Sequence, residues 1–533
     1  MTADLDTRCG ELYAPAGEVL PPGGGARNLG PVRGDSLDEL DPFAGSRERF
    51  DGIVEWLGGE QVDRLEHSEL EDRLQADGRE LLPALFQDRM TLRAHQEARV
   101  DGVVDAAGVE RRAVEAGHDR MLGTVFGAVE VKRLAYRCRG EENLYVADGQ
   151  LNLPEERHSH GVRRLAAVES SRGSFDDATK HVREVTGAQI GKRQIEELAV
   201  RAAIDFESFY AGQVSTPGDP DDDARVLVLS ADGKGIVMRP GALRPETAKA
   251  AQRASPKLKT RLSRGEKRNR KRIAEVGAVY EIAPAPRTPA EVLAASEHKT
   301  MPAPKAKRKW LTASVVEDAA TVVAEIFDEA QRRDPNHERT WIALVDGNNH
   351  QIDRIKTEAK KRNVKITILV DVVHVLEYLW ASAWCFFQEG DPDAEAWVHE
   401  KALAVLQGNA GIVAGSIRRK ATRLALDPDQ RAKADRAADY LHNKAPYLDY
   451  PTALTNGWPI ATGVIEGACR HLIKDRMDIT GARWGLHGAE AILKLRALRS
   501  NDDFDAYWLY HLEQERRRVH QSRYANSVIP EPT

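Results

Sequence analysis

The sequence predicts an α+β protein of several domains, in which a mixed α/β sheet is preceded by one helical region and interrupted by another. Two short apolar runs, 342–345 and 366–370, are rich in β-branched residues and too short for helices, which indicates buried strands. Between them, Ile352, Ile355 and Ala359 recur at helical spacing among charged residues, which indicates a helix with one apolar stripe. Together these elements predict a β-α-β unit of parallel strands.

Composition and charge exclude several classes of protein. The chain has 533 residues, enough for two to four domains, and its net charge of -6 excludes a basic coat protein for nucleic acid. Its four cysteines lack CxxC or CxxH spacing, which argues against a zinc finger and indicates a reducing cytosol. The N-terminus lacks the pattern of a signal peptide, and charges interrupt the most apolar segment, 364–387. We therefore expect a cytoplasmic protein without a membrane span.

The N-terminal part of the chain is predicted to be mostly helical. Residues 1–35 are rich in Gly and Pro and are expected to form a disordered tail, whereas 36–115 show helical spacing of leucines. Alternation around Gly127 then predicts a small hairpin near the start of the region 116–214. The basic and aromatic residues beside this hairpin either contact a nucleic-acid backbone or form a solvated face.

The region 116–214 also contains a helix-turn-helix pattern. One helix is predicted over 174–185, and a turn follows at Gly187. The second helix begins with Lys192, Arg193 and Gln194. In DNA-binding proteins the second helix of this layout lies in the major groove. Many helical hairpins share the pattern and bind nothing, so both interpretations stay open.

Further strands complete the predicted sheet. After a linker at 215–223, the apolar run 226–229 leads into Asp232, and 235–239 are predicted as its return strand. The elements predicted next are strands 276–282 and 309–315 and a helix over 317–333. The order of three strands, a helix, a strand, a helix and a strand matches the mixed five-stranded sheet of ribonuclease H.

The rest of the chain is predicted to be helical. The predicted units are 224–374 as the first part of a catalytic core, 375–458 as an all-α insertion, 459–520 as the second part of the core, and 521–533 as a C-terminal tail. The second part of the core opens with an amphipathic helix that begins near Thr462 and carries Glu466. By itself, Glu466 is better interpreted as a surface partner of Arg470.

The densest basic run of the chain lies between residues 257 and 272. Its residues assigned to DNA binding are Arg268, Arg270, Lys271 and Arg272. Such a run is usually solvated, but in a chain of negative net charge it is the obvious contact for phosphates.

Acidic residues follow several predicted strands. Asp232, Asp346 and Asp371 each come after an apolar run. Any one of them is interpretable as a helix cap or turn residue, but three strands ending in acids suggest a converging carboxylate cluster. Two divalent metals held by carboxylates can activate the nucleophile and stabilise the leaving oxygen in phosphodiester chemistry, and Mg²⁺ prefers such oxygen ligands.

Four motifs resemble a known family. They are SADGKGI around Asp232, LVDGNNHQ around Asp346, the Asp371-x-x-His374 pair, and ATGVIEGACRHLIKDRMDITGARWGLHGAEAILKLRAL around Glu466. The chain resembles bacterial insertion-sequence transposases of the Kra type (ISKra family), relatives of Mutator-like and other DDE enzymes with a ribonuclease H-like fold. The resemblance covers most of residues 120–520.

The resemblance implies specific site residues. Asp232, Asp346 and Glu466 would be the catalytic, metal-binding carboxylates, with Asp371 and His374 supporting the site. Asp371 and Asp346 are both suited to be the second metal ligand, and Asp346 is favoured because it follows the fourth strand, where the family has its ligand. Arg483 in the GARW motif either contacts DNA or packs behind the glutamate with its neighbour Trp484.

The resemblance also implies a function. The chain would be a transposase that uses Mg²⁺ or Mn²⁺, binds double-stranded DNA at the terminal inverted repeats and at the target, and acts as a homodimer or larger assembly near the bacterial nucleoid. Two alternatives are a ribonuclease H-like nuclease without strand transfer and a domesticated DNA-binding regulator.

Overall fold

A computed structural model describes residues 41–213, 225–253, 266, 270–294, 302–479 and 481–532. The predicted disordered tail at 1–35, the linker at 215–223 and Arg268 lie outside these residues. In the described part of the chain, no helix has both the length and the apolar character needed to cross a membrane.

Two helices and a hairpin form the N-terminal part. They are α1 (Ala44–Leu57), α2 (His67–His95), β1 (Ala113–Thr124) and β2 (Gly127–Arg137). The hairpin predicted around Gly127 is confirmed, with Thr124 opposite Gly127 across the turn. The Gln87 side chain of α2 accepts a hydrogen bond from the Glu130 N–H at 2.7 Å and donates one to the Glu130 carbonyl at 3.1 Å. These bonds fix α2 against β2.

Short helices follow the hairpin. They are α3 (Val146–Gln150), α4 (His160–Arg172), α5 (Phe175–Thr186), α6 (Lys192–Ala202) and α7 (Phe206–Ala211). Helix α5 begins at a Ser174 capping box and ends at Gly187, whose φ of 70° favours glycine. The predicted helix, turn and second helix are therefore confirmed as secondary structure. Val162 of α4 and Ile195 of α6 share one small core with α5.

A mixed five-stranded sheet carries the largest core. Its strands are β3 (Val226–Val237), β4 (Lys271–Ile282), β5 (Lys307–Ser314), β6 (Thr340–Val345) and β7 (Ile366–Val370). The order across the sheet is β5-β4-β3-β6-β7. Strands β3, β6 and β7 run parallel, and β4 is antiparallel to both of its neighbours. The predicted mixed sheet of five strands is confirmed.

Helices connect these strands. They are α8 (Pro245–Arg253), α9 (Pro289–Leu293), α10 (Ala319–Arg333) and α11 (Asn349–Lys361). Helix α10 packs so closely on β4 that a Cβ at Gly277 would lie 2.5 Å from Ile326 Cγ2. A larger residue at this position would push the helix off the sheet.

The prediction that one strand ends at Asp232 and a return strand occupies 235–239 is wrong. Strand β3 continues through Asp232 to Val237, and all of it pairs with β4. The glycines of the sequence DGKG provide cross-strand space within this one strand. A Cβ at Gly233 would lie 2.9 Å from Ile273 Cγ2, and one at Gly235 would lie 2.8 Å from Lys271 Cδ. Glycine in a strand often marks such a close approach.

Helices follow strand β7, as predicted. In the predicted insertion they are α12 (Val372–Ala383), α13 (Pro392–Leu406), α14 (Ala410–Arg423), α15 (Pro428–Lys444) and α16 (Tyr450–Thr455). The later ones are α17 (Gly463–Ala468), a π-helical turn (Cys469–Lys474), α18 (Asp475–Met477), α19 (Leu486–Ser500), α20 (Phe504–Glu515) and a second π-helical turn (Arg516–His520). The domain boundaries themselves stay a prediction.

The C-terminal residues are packed, although 521–533 were predicted to be a tail. Tyr524 and Ile529 are buried in a small core with Val100 and Val103. Two isolated apolar residues in a polar segment produce no periodicity, so the sequence did not indicate this contact.

A buried ion-pair network joins helix α20 to helix α4, and it predicts a pH dependence of stability. Arg163 is fully buried, and its Nη1 donates to Glu515 Oε2 at 2.8 Å. Burial alone would raise the pKa of Glu515, but hydrogen bonds from Arg163 and Arg518 outweigh it and lower the pKa from 4.5 to about 2. A carboxyl group whose pKa is lower in the folded than in the unfolded protein stabilises the fold when the pH is above its unfolded pKa. This stabilisation is lost as the pH falls through its folded pKa.

We expect Glu515→Gln to lower the free energy of unfolding at pH 7 by about 3 kcal/mol, because it leaves a buried arginine without its main partner. The difference from the unmodified protein should shrink between pH 4.5 and about 2. Denaturant unfolding at several pH values measures it. Glu513→Gln on the exposed side of the same helix is the control and should have little effect. A constant difference across this pH range would contradict the assignment.

Candidate active site

Three aspartates occupy equivalent positions on neighbouring parallel strands. The last pair of the β3–β6 ladder lies three residues before both Asp232 and Asp346. The last pair of the β6–β7 ladder lies one residue before both Asp346 and Asp371. Neighbouring strands are about 4.8 Å apart, so side chains at equivalent positions are near one another. The structure therefore brings these three predicted site residues to one end of the parallel strands.

Asp232 is half-buried, and its carboxylate is held by two short-range contacts. Its Oδ1 accepts a hydrogen bond from the Gly233 N–H at 2.7 Å. Its Oδ2 accepts one from the thiol of Cys469 at 3.3 Å. Burial raises the pKa of the Cys469 thiol, and the neighbouring charge of Asp232 raises it further. The thiol therefore keeps its proton and remains a donor to Asp232.

Glu466 approaches the same point from the helix packed on the sheet. It lies one turn before Cys469 in α17, and its charge also contributes to the raised pKa of the Cys469 thiol. The Glu466 side chain is exposed, and no described residue forms an ion pair with it. The expected surface pair with Arg470 is absent from the described part of the chain; Arg470 instead lies 3.6 Å from Asp475. The helix changes to π-helical geometry at Cys469, a distortion often found at functional sites.

Asp346 lies at the turn from β6 into α11. Its Oδ1 accepts from the Asn348 N–H at 2.8 Å, and no described residue donates to its other carboxylate oxygen. The Tyr440 hydroxyl of α15 donates to the Asp346 carbonyl at 3.0 Å. The next residue, Gly347, has a φ of 93°, and a Cβ there would lie 2.6 Å from Tyr440 Oη. The glycine after Asp346 is thus required by both conformation and space.

Asp371 has a different environment, because its carboxylate is enclosed and fully engaged. It is completely buried. Its Oδ1 accepts from the Val373 N–H at 2.8 Å as the N-cap of α12. Its Oδ2 accepts from the Thr462 hydroxyl and lies 3.4 Å from His374 Nδ1. These contacts are those of a residue that joins elements together, and they leave little room for a metal.

The helix that carries Glu466 is anchored at both ends. Before it, Thr462 bonds to Asp371, and the Ile460 carbonyl accepts from the Val372 N–H at 2.9 Å. After it, Trp484 forms a parallel bridge with Met238 at the end of β3. The first anchor links the helix to the strand β7 end and the second links it to the strand that carries Asp232.

Glu275 is an acid near the site that sequence analysis missed. It pairs with Gly233 across the β3–β4 ladder, next to Asp232. Burial raises the pKa of Glu275, and the charge of Asp232 raises it further. The sequence signal was weak, because Glu275 lies inside a strand and not after one. Glu275 lies beside Asp232 because β3 continues past Asp232, which the sequence did not indicate.

The chemistry of the donor set suits a hard divalent cation. Asp346 and Glu466 each have carboxylate oxygens without a described partner, and Mg²⁺ prefers carboxylate oxygens and waters. Among the residues that the structure describes, however, no three His, Cys, Asp or Glu side chains stand close enough to hold one ion. The metal and its ligands therefore stay a prediction.

The first turn of α6 presents the predicted DNA contacts to solvent. Lys192, Arg193 and Gln194 are all exposed. Lys192 is paired with Asp176 of α5, and Arg193 is paired with Glu197 at 3.0 Å. The Gln194 side chain accepts from the backbone N–H of the residue before the helix and so caps it.

The basic run is described only at its end. Lys271 is exposed, and Arg270 is half-buried. The Arg272 guanidinium donates to the carbonyls of Val315 at 2.7 Å and Val316 at 3.4 Å, so it joins β4 to the end of β5. Arg483 is exposed, and no described residue pairs with it.

Trp484, the neighbour of Arg483, has a packing role. It is 5% exposed, and its Nε1 donates to the Met477 carbonyl at 3.0 Å. Packing, one of the two interpretations of the GARW motif, therefore applies to Trp484. Its neighbour Arg483 is exposed to solvent.

Comparisons with known proteins add little to this geometry. No family model matches the chain, and no curated protein matches it. One solved structure that it resembles is the Drosophila P element transposase strand transfer complex, with 10% identity and a TM-score of 0.21, over 69% of this chain and 82% of the other. A similarity this low carries no argument about fold or function.

Asp371 should matter far more for stability than an ordinary N-cap. Asp371→Ala leaves the buried Thr462 hydroxyl and the Val373 N–H without an acceptor, so we expect a loss of about 3 kcal/mol in the free energy of unfolding. The matched control is Asp391→Ala, another N-cap aspartate, which accepts from the Asp393 N–H at the surface. The control should cost about 1 kcal/mol. Equal losses in denaturant unfolding would show that the buried contacts contribute nothing.

Proposed function

We propose that this protein is a metal-dependent DNA transposase of the DDE type. It binds the terminal inverted repeats of an insertion sequence, hydrolyses the DNA at the ends, and joins the 3′-hydroxyls to target DNA. The catalytic carboxylates are Asp232, Asp346 and Glu466. The proposal takes the sheet and its connections as a ribonuclease H-like domain interrupted by an all-α insertion, and it follows the sequence resemblance to transposases of the Kra type.

One observation carries the proposal: acids on two adjacent parallel strands share one register, and an acid on a helix anchored to both strand ends approaches them. Asp232 and Asp346 are three residues past the last β3–β6 pair. Glu466 lies one turn before the residue whose thiol bonds to Asp232. Phosphoryl transfer needs carboxylates that converge from different elements, because the metals must contact both the attacking and the leaving oxygen.

The choice between Asp346 and Asp371 follows from their partners. Both oxygens of Asp371 are engaged with neighbouring groups in the interior. Asp346 keeps one oxygen without a described donor. We therefore assign metal binding to Asp346 and positioning to Asp371. His374 supports Asp371 from the next turn of the helix.

Asp232, Asp346 and Glu466 would hold Mg²⁺ or Mn²⁺. When bound, the metals supply a Lewis acid for the phosphodiester oxygens and lower the pKa of the attacking water. The residues of the chain hold the geometry: Gly233 and Cys469 fix the half-buried carboxylate of Asp232 by hydrogen bonds. Electrostatic stabilisation of the kind that such a site provides is usually the largest contribution to catalysis.

DNA is the proposed partner. The exposed first turn of α6, with Lys192, Arg193 and Gln194, supports a contact with the terminal repeats. Arg270 and Lys271 at the start of β4, together with Arg268 and Arg483, would contact phosphates. Cutting paired ends requires two active sites, so we propose a dimer or larger assembly on DNA.

Removal of either predicted ligand should abolish cleavage and spare binding. We expect Asp232→Asn and Glu466→Gln each to reduce Mg²⁺-dependent cleavage of DNA from the two flanks of the open reading frame by roughly a hundredfold or more, because each removes a charge needed to bind metal. End binding in a mobility-shift assay should stay within about twofold.

The control for this experiment is Glu389→Gln, which neutralises an exposed carboxylate in the helical insertion. It should cleave like the unmodified protein. Undiminished cleavage by both site variants would refute the proposal. Cleavage without a joined product would instead identify a nuclease, and binding without cleavage under any divalent cation would identify a regulator.

A further inference from the structure

A solvent-open cavity of about 620 Å³ lies between the helix-turn-helix and the segment that follows the Glu466 helix. Lys192 from the first turn of α6 lines one side. Arg239, just after β3, lines another side, and Arg476 and Arg483 come from the segment after Glu466. Three elements that are distant in sequence thus contribute cations to one space.

The charge of this cavity is strongly positive. Its charged lining residues are four cations and a single acid, Glu196, in a chain whose net charge is -6. Arg239 and Arg483 are exposed and pair with no described residue. The cavity therefore attracts anions, although the net charge of the whole chain is negative.

Arg476 is a buried cation at the wall of this cavity. It is 3% exposed, with its guanidinium 5.1 Å from the Phe175 ring and 4.7 Å from the Trp484 ring. Its Nε donates to the Ser170 carbonyl at 2.9 Å, but among the described residues its buried Nη2 has no hydrogen-bond partner and no carboxylate pairs with it. A buried charge without an opposite charge is costly, and an anion in the adjoining cavity would offset that cost.

The start of α6 adds to the preference for anions. The helix has eleven residues, and Gly191 before it has no side chain to accept from the N–H groups of the first turn; the Gln194 side chain accepts only from the Gly191 N–H. The partial positive charge of these groups lies at the end of the helix that contributes Lys192 to the cavity. By itself this feature would not define a site, but here it adjoins the partly unsatisfied Arg476.

We propose that this cavity binds a backbone phosphate of duplex DNA, with Arg239, Arg476 and Arg483 as its main contacts. The inference rests on the proposed function in taking DNA as the partner. It adds that the end of the strand carrying Asp232 and the segment after Glu466 hold one phosphate beside Lys192 of the helix-turn-helix. Arg239 follows the strand of Asp232, and its N–H donates to the Trp484 carbonyl at 2.8 Å. DNA bound to α6 is thereby held at a fixed position relative to the strand that carries Asp232, the first proposed catalytic carboxylate.

Fluorescence anisotropy with a labelled duplex of about 30 base pairs tests the inference, in EDTA and over a series of salt concentrations. Arg239→Ala and Arg483→Ala change exposed side chains, so the fold should be retained. Each should weaken binding by roughly threefold to tenfold and reduce the slope of log affinity against log salt by about one. The matched control, Arg436→Ala on exposed α15, removes the same charge and should change neither quantity.

Unchanged affinity and slope in both variants would overturn the inference. A second result would also overturn it. If inorganic phosphate stabilises the unmodified protein but not Arg239→Ala, and both proteins bind the duplex with equal affinity, the cavity binds a small anion and not DNA. The EDTA condition separates this test from the catalytic one. If the cavity variants lose DNA binding and the unmodified protein shows no metal-dependent cleavage, the result would support the cavity as a DNA-binding site and refute the proposed transposase activity.

Discussion

The arrangement of the site depends on one buried contact, the hydrogen bond from the Thr462 hydroxyl to the carboxylate of Asp371. Asp371 ends β7 and caps the helix after it, so its position is determined by the sheet. Thr462 immediately precedes the helix that carries Glu466 and lies one turn before this residue. The contact therefore transfers the geometry of the sheet to the third proposed catalytic residue. A buried carboxylate tolerates the loss of such partners poorly, which makes the junction rigid.

This junction also explains how the chain accommodates a long helical segment at that point. Asp371 and Thr462 are 91 residues apart in sequence but in direct contact. The entropy of closing a loop grows only slowly with its length, so the helices in between cost little once the two ends are fixed. Those helices also return to the site, since Tyr440 donates to the Asp346 carbonyl and thereby holds the end of β6. The segment is thus part of the support of the site as well as a connection.

The errors of prediction have a common origin in contacts between distant segments. The short apolar runs before Asp346 and Asp371 were sufficient to predict β6 and β7, because periodicity and β-branching are local properties. The return strand at 235–239 was wrongly separated from the strand before it, because the sequence does not show that Gly233 and Gly235 make room for Ile273 and Lys271 on β4. Glu275 was missed for the same reason, since its proximity to Asp232 depends on the register between two strands. Arg476 resembled any other basic residue of an amphipathic helix until its burial between Phe175 and Trp484 was seen.

The sequence by itself determined most of the strands and helices, the mixed character of the sheet, and the aspartates near one end of its parallel strands, because apolar spacing is written along the chain. Only the tertiary structure decided which acids are enclosed and which keep oxygens without described partners. It also decided that the segment after Glu466 meets the end of β3, and that four cations surround one cavity. These features come from packing between segments tens to hundreds of residues apart. A linear pattern does not contain them, since burial and hydrogen bonding depend on what lies opposite each side chain.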